Sequence, residues 1–183
     1  MDQRLENGRL NHQELREGKL ILSSRPRMIF VELTRACNLA CPMCRDNLLA
    51  GSQYAMPDEV LEMVRRELFP YATVVDLRGW GESTLDLRLP RLIDELVDQG
   101  VATKIYSNLA SRTTDYWRKL GGQTVSVTAS IDAATASVFE RLRLHAKFDR
   151  VLANISALRT AQLDRGGKLD LVFGMTVLHD NIE

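Results

Sequence analysis

Outside positions 37 to 44, the 183-residue chain contains no cysteine. That absence excludes a disulfide-stapled secreted framework, and a disulfide within the trio Cys37, Cys41 and Cys44 would leave one thiol over. Neither sign of charge is in excess, since 24 Lys and Arg balance 24 Asp and Glu. Nothing therefore argues for electrostatic capture of nucleic acid or of an anionic membrane. No apolar run approaches transmembrane length, and the opening Met1-Asp2-Gln3-Arg4-Leu5-Glu6 is too polar for a secretory signal. Clustered thiols without an export signal imply a reducing cytoplasm and a metal role. Histidine is scarce as well. His12, His145 and His179 are all remote from the cysteines in sequence, so a structural zinc site, which wants four protein ligands, has no obvious fourth.

What the chain does have is the spacing Cys37-x-x-x-Cys41-x-x-Cys44. Thiolates suit soft metals and iron–sulfur clusters. A cubane cluster has four irons that each take one outer ligand, so three cysteines leave one iron open to a small molecule. Two blander readings compete. Positions i, i+4 and i+7 share a helix face, and free cysteine is often simply buried. Against a helix stands Pro42 between the last two cysteines, and the segment follows a strand-like run, Met28-Ile29-Phe30-Val31-Glu32-Leu33. The spacing favours a cluster.

With 45% hydrophobic residues the chain has enough apolar content for one domain. From residue 28 strand and helix signals alternate. The first strand leads through the cysteine loop to a helix opening at Pro57-Asp58-Glu59, where proline and two acids suit the first turn. Its expected apolar face is Val60, Leu61, Met63, Val64 and Leu68. A second strand, about Thr73 to Leu77, precedes a helix from about Pro90 to Gln99 that Gly100 stops. A third strand, Thr103 to Tyr106, precedes a helix ending at Gly121-Gly122, and a fourth runs from Thr124 to Ile131. Helices near Ala134 to Leu142 and from Phe148 to about Leu163 precede a fifth strand, Leu169 to Val177. Such alternation implies an α/β fold with a parallel sheet and right-handed crossovers, either a curved barrel or an open doubly wound sheet. Residues 1–27 read as a polar N-terminal extension and residues 28–183 as the core domain.

In parallel β/α folds, ligands gather at the C-terminal ends of the strands. There the sequence places the cysteine loop, Gly79-Trp80-Gly81-Glu82-Ser83, Ser107-Asn108, Ser130-Ile131-Asp132 and His179-Asp180-Asn181. Each alone reads as a turn or helix cap. Together they describe one rim.

On these residues the chain resembles the radical S-adenosylmethionine (SAM) enzymes, which place Cys-x-x-x-Cys-x-x-Cys after the first barrel strand and Gly-x-Gly-Glu after the second. The resemblance, from about residue 28 to the end, implies a partial (β/α) barrel with about five parallel strands. It implies a 4Fe–4S cluster on Cys37, Cys41 and Cys44, with SAM on the open iron. Within that resemblance Glu82 takes the SAM ammonium, Gly79 and Gly81 let the backbone approach its methionine part, and Asn108 bonds the ribose. Ser130 and Arg143 take the SAM carboxylate, with Arg141 a near rival, and the backbone at Val177 and Leu178 faces the adenine. Reductive cleavage gives methionine and a 5′-deoxyadenosyl radical that abstracts hydrogen from a substrate, with flavodoxin or ferredoxin as electron donor.

The Ser130 and Arg143 positions resemble the SPASM/twitch-like subgroup. Met43 before the third cysteine resembles enzymes such as cytosylglucuronate decarboxylase, implying a small sugar or nucleoside substrate in natural-product biosynthesis. The alternatives are a peptide maturase with a further auxiliary-cluster domain, a non-catalytic iron–sulfur carrier, or a structural zinc module. Because family cores have six β/α units, the five read here imply an incomplete core. Such a core has an exposed sheet edge open to self-association and weak SAM cleavage on its own.

Overall fold

The computed structural model describes residues 2–44, 54–166 and 170–182. Among these residues, five strands form one sheet in chain order: β1 (Met28–Phe30), β2 (Val74–Leu77), β3 (Ala102–Ser107), β4 (Val125–Ser130) and β5 (Leu171–Gly174). Every neighbouring pair is parallel. Helix α1 (Gln3–Arg16) precedes the sheet, and α2 (Asp58–Glu67), α3 (Leu89–Asp98) and α4 (Thr114–Gly121) fill the first three crossovers. Helices α5 (Ala136–Leu142) and α6 (Phe148–Asp164) share the fourth. This is the expected partial barrel.

Period-two patterning sets which face of the sheet is covered. In β3, Thr103, Ile105 and Ser107 are buried while Ala102, Lys104 and Tyr106 are exposed. In β4, Val125, Val127 and Ala129 are buried and Ser126, Thr128 and Ser130 are half-buried. The buried set packs under Leu92, Ile93 and Leu96 of α3, Trp117 of α4 and Leu158 of α6, all fully buried. Each such side chain contributes roughly 1.5–3 kcal/mol through removal from water. The opposite, concave face is open and mixes polar with apolar side chains, among them Phe30, Lys104, Tyr106 and Thr128.

Local chemistry explains the helix ends. Asp2 caps α1 by accepting from the Arg4 amide at 2.9 Å, and Thr113 caps α4 by accepting from the Tyr116 amide at 3.4 Å. Helix α3 stops at Gly100, whose φ of +69° is readily adopted only by glycine. Helix α1 is held mainly by polar contacts. Arg4 donates to the carbonyls of Ala72 and Gln99, both at 2.9 Å, and buried Glu14 accepts from the amides of Ser23 and Ser24.

Three expectations shift. Strand β1 ends at Phe30, three residues early; Val31 still donates to the Asp76 carbonyl at 2.9 Å, but the chain then turns to bridge Thr34 to Ala55. Strand β5 spans only Leu171–Gly174, and Leu169 lies outside the described residues. On α2, Leu61 is buried but Val60 and Met63 are exposed, 38% and 55%. One row of that helix meets the sheet, so apolar content overstated the buried arc.

Candidate cofactor site

The cysteine loop leaves β1 through a pinched neck. Thr34 Oγ1 donates to the Tyr54 carbonyl at 2.9 Å and accepts from the Ala36 amide at 3.0 Å. The Met56 amide donates to the Leu33 carbonyl at 2.7 Å. Beyond the neck, residues 35–44 are not helical and Cys37, Cys41 and Cys44 are free thiols. The helix-face and disulfide readings therefore fall. The loop is also tied to the far side of the sheet, because the Ala40 amide donates to the Leu144 carbonyl at 3.3 Å.

All nine residues expected at the site line one cavity of about 400 Å3: Cys37, Cys41, Cys44, Gly79, Gly81, Glu82, Asn108, Ser130 and Arg143. Arg141 does not; its guanidinium reaches the exposed Asp180 carbonyl at 3.5 Å. Val177 and Leu178, expected at the adenine, also stand outside this lining. Their strand-end loop folds on itself, where the Leu178 amide bonds Asn181 Oδ1 at 2.7 Å, and packs against the loop after β4, where Asn181 Nδ2 donates to the Asp132 carbonyl at 2.8 Å.

Contacts within the chain also require glycine at both positions. A Cβ on Gly81 would overlap the Thr34 carbonyl oxygen and lie 2.7 Å from that of Ala36. A Cβ on Gly79 would overlap the Glu32 side chain. The loop after β2 thus lies directly against the root of the cysteine loop, and the Glu82 amide seals the contact by donating to the Ala36 carbonyl at 2.8 Å.

Glu82 is 3% exposed. Its Oε1 accepts from the Thr84 hydroxyl at 2.5 Å and the Ser107 hydroxyl at 2.8 Å, and its Oε2 accepts from the Asn108 amide at 2.8 Å. Burial pushes its pKa up, against the pull of those hydrogen bonds. No cation among the described residues forms an ion pair with it. A buried carboxylate in that state favours a cationic neighbour from the cavity. Beside it, Asn108 Nδ2 donates to Asn38 Oδ1 at 2.9 Å and lies 3.9 Å from Cys37 Sγ. The next residue, Leu109, has φ +55° and a fully buried side chain. Asn154 of α6 holds its carbonyl at 2.7 Å. A leucine in this region is strained, which places a constrained turn at the site.

Arg143 enters from the opposite wall, where its Nε donates to buried Asp132 Oδ2 at 2.5 Å and Asp132 Oδ1 accepts from the Thr176 amide at 2.8 Å. Burial pushes Cys41 up to about 11 and raises Cys37, while the Arg143 charge pulls both down. Among the described residues no three His, Cys, Asp or Glu side chains converge as a single bound ion requires. A cubane makes no such demand, since each thiolate meets a different iron. Three free thiols along one side of a cavity fit it.

Sequence reading passed over Glu32, Asp76, Arg78, Thr84 and Tyr106. Arg78 and Tyr106 line the cavity, and the signal was their parity: Asp76 and Arg78 are two apart, and Tyr106 stands opposite Thr128 on the open face.

Residues 31–183 match the family described as the Radical SAM superfamily. The chain is 29% identical over 159 residues to mycofactocin maturase MftC of Mycolicibacterium smegmatis, covering 83% of this chain and 38% of that protein. It is 32% identical over 139 residues to mycofactocin maturase MftC of Mycobacterium tuberculosis, covering 69% and 33%. Thus it spans little more than a third of the length of the curated relatives it matches. Among solved structures, Streptococcus suis SuiB bound to S-adenosylmethionine superimposes with a TM-score of 0.68 at 19% identity, covering 93% of this chain and 38% of that one. Native anSMEcpe with bound AdoMet gives 0.62 at 18%, covering 81% and 42%. At these identities the likeness is one of fold.

Proposed function

The chain belongs to the radical SAM superfamily, whose members bind a 4Fe–4S cluster and SAM, and from that membership we propose that it cleaves SAM reductively to start radical chemistry on a substrate. The observation that carries the reading is the single cavity walled by the three thiols, Glu82 and Arg143. A bound cluster would supply the electron for reductive cleavage of SAM. The protein's own residues bind and orient. Cys37, Cys41 and Cys44 hold the cluster and leave one iron for SAM. Glu82 supplies a buried negative charge for the ammonium, and Arg143, steadied by Asp132, serves the SAM carboxylate with Ser130. To Asn108, whose Nδ2 lies 3.9 Å from Cys37 Sγ, we assign the ribose. The test is anaerobic reduction of the reconstituted protein with SAM. Formation of 5′-deoxyadenosine and methionine in equal amounts supports the reading, and intact SAM beside a reduced cluster overturns it.

A peptide substrate is the class with support: two relatives are named maturases, and one SuiB structure of the same fold is described as bound to precursor peptide SuiA. The sugar or nucleoside substrate, and the likeness to cytosylglucuronate decarboxylase, rest on Met43 and draw nothing from these relatives. The SPASM/twitch-like assignment rests on Ser130 and Arg143. A flavodoxin or ferredoxin is the proposed electron donor.

Glu82→Gln is expected to keep the iron content and weaken SAM binding by about ten-fold or more, because a charge-assisted hydrogen bond contributes about 1.5–3 kcal/mol. Iron analysis and equilibrium dialysis with labelled SAM read the two quantities separately. Undiminished SAM affinity would reduce Glu82 to holding the loops together.

A further inference from the structure

Arg78 is the cation of the cavity with no part in holding cluster or SAM. It follows β2 on the concave parity of Asp76, and Nη2 donates to Asp76 Oδ2. Asp76 is fully buried. The guanidinium also lies over rings from the strands on either side of β2, at 3.9 Å from the Tyr106 centroid and 5.0 Å from that of Phe30. Such contacts fix the plane of the group. An arginine held by one edge and by stacking keeps N–H donors for a partner in the cavity that it lines.

Charge and shape narrow that partner. On this part of the concave face Asp76 offsets Arg78, and Glu32 is paired with Arg35 at 3.3 Å. Lys104, level with Asp76 in the sheet and exposed, forms no salt bridge among the described residues. Lys104 stands outside the cavity lining, so the donor offered on this side is the fork of Arg78, whose remaining N–H groups match the planar geometry of a carboxylate. The surroundings are apolar: Phe30 and Trp80 are 61% and 54% exposed. We propose that Arg78 is a specificity-determining residue that anchors a carboxylate of the substrate beside an apolar group of the same molecule. This rests on the reading of the cavity as a reaction chamber and names the substrate class within it.

Phenylacetate is the probe, with phenylacetamide as its neutral counterpart and phenyl phosphate as the dianion. Binding is followed through Trp80 fluorescence, first without cluster and SAM and then in the reconstituted protein. Phenylacetate is expected to bind about ten-fold or more tightly than the amide. Arg78→Gln alone would leave Asp76 buried without its partner, so Asp76→Asn/Arg78→Gln is the working variant, and it should lose the preference. Arg78→Lys, which keeps the charge without the planar fork, should lose most of it. Equal affinity for acid and amide, a preference that survives in the double variant, no saturable binding of phenylacetate, or tighter binding of phenyl phosphate would each overturn the proposal. So would a loss of SAM affinity in the double variant equal to the loss for phenylacetate, since Arg78 would then serve the cofactor. Because the cluster-free titration needs no iron, its failure is distinct from a failure to cleave SAM.

Discussion

Anaerobic reconstitution is expected to install about four irons and four sulfides per chain, and alanine at any one of Cys37, Cys41 or Cys44 to remove most of them. The three thiols differ in surroundings, from buried Cys41 to exposed Cys44, yet each would hold a different iron, so no site is redundant. Fold and cluster can be separated in the measurement. The core beneath the sheet draws on Leu92, Ile105, Trp117 and Leu158; Cys41 joins that cluster and Cys37 packs against it, but alanine removes only one sulfur from either, so each variant should keep its helical circular dichroism while losing colour, iron and sulfide. A colourless protein with one tightly held zinc would sink the cluster. So would a full iron complement in any single variant.

Gly81→Ala is expected to cost stability and cofactor together. The new methyl would overlap the Thr34 carbonyl oxygen and crowd that of Ala36. Both are backbone atoms of the neck that carries the cysteines, and the second also accepts from the Glu82 amide. Relief requires the two loops to part. Forced overpacking costs roughly 1–3 kcal/mol, and a protein of this size loses about 2–4 °C of melting temperature per kcal/mol. Gly79→Ala provides the internal comparison. Its methyl meets the Glu32 side chain, which can swing aside at the expense of its 2.5 Å hydrogen bond from the Trp80 amide. Thermal melts and iron analysis of the two variants should therefore rank Gly81→Ala as the more damaged on both counts. Equal damage would mean that contact with the cysteine neck does not set the glycine requirement.

Much of this was legible in the chain. Cys37, Cys41 and Cys44 announce themselves through spacing, and β3 and β4 through alternation of apolar and polar residues, because these signals are local. The cysteine loop and the residues after β2, β3 and β4 were legible as one rim, since parallel topology brings them there, whereas the loop after β5 lies outside the cavity lining. What the sequence hid was relational. That Glu82 accepts from Ser107 and Asn108, or that Arg78 lies over Tyr106 and Phe30, depends on register between strands separated by whole helices. Gly81 was visible as a glycine, but the carbonyl it admits belongs to a segment more than forty positions away. Leu109 carries no sign of its left-handed backbone, because that conformation is imposed by its buried side chain and by Asn154.

The carboxylate of Glu82 joins the loops after β2 and β3, while its amide grips the loop after β1. Three separate strand ends are thereby tied together by a single residue through contacts within the chain alone. Association of a small ligand usually sacrifices part of its contact energy to quieting the loops that receive it. Here that entropic loss is met during folding, so more of the free energy of cofactor contact remains as affinity.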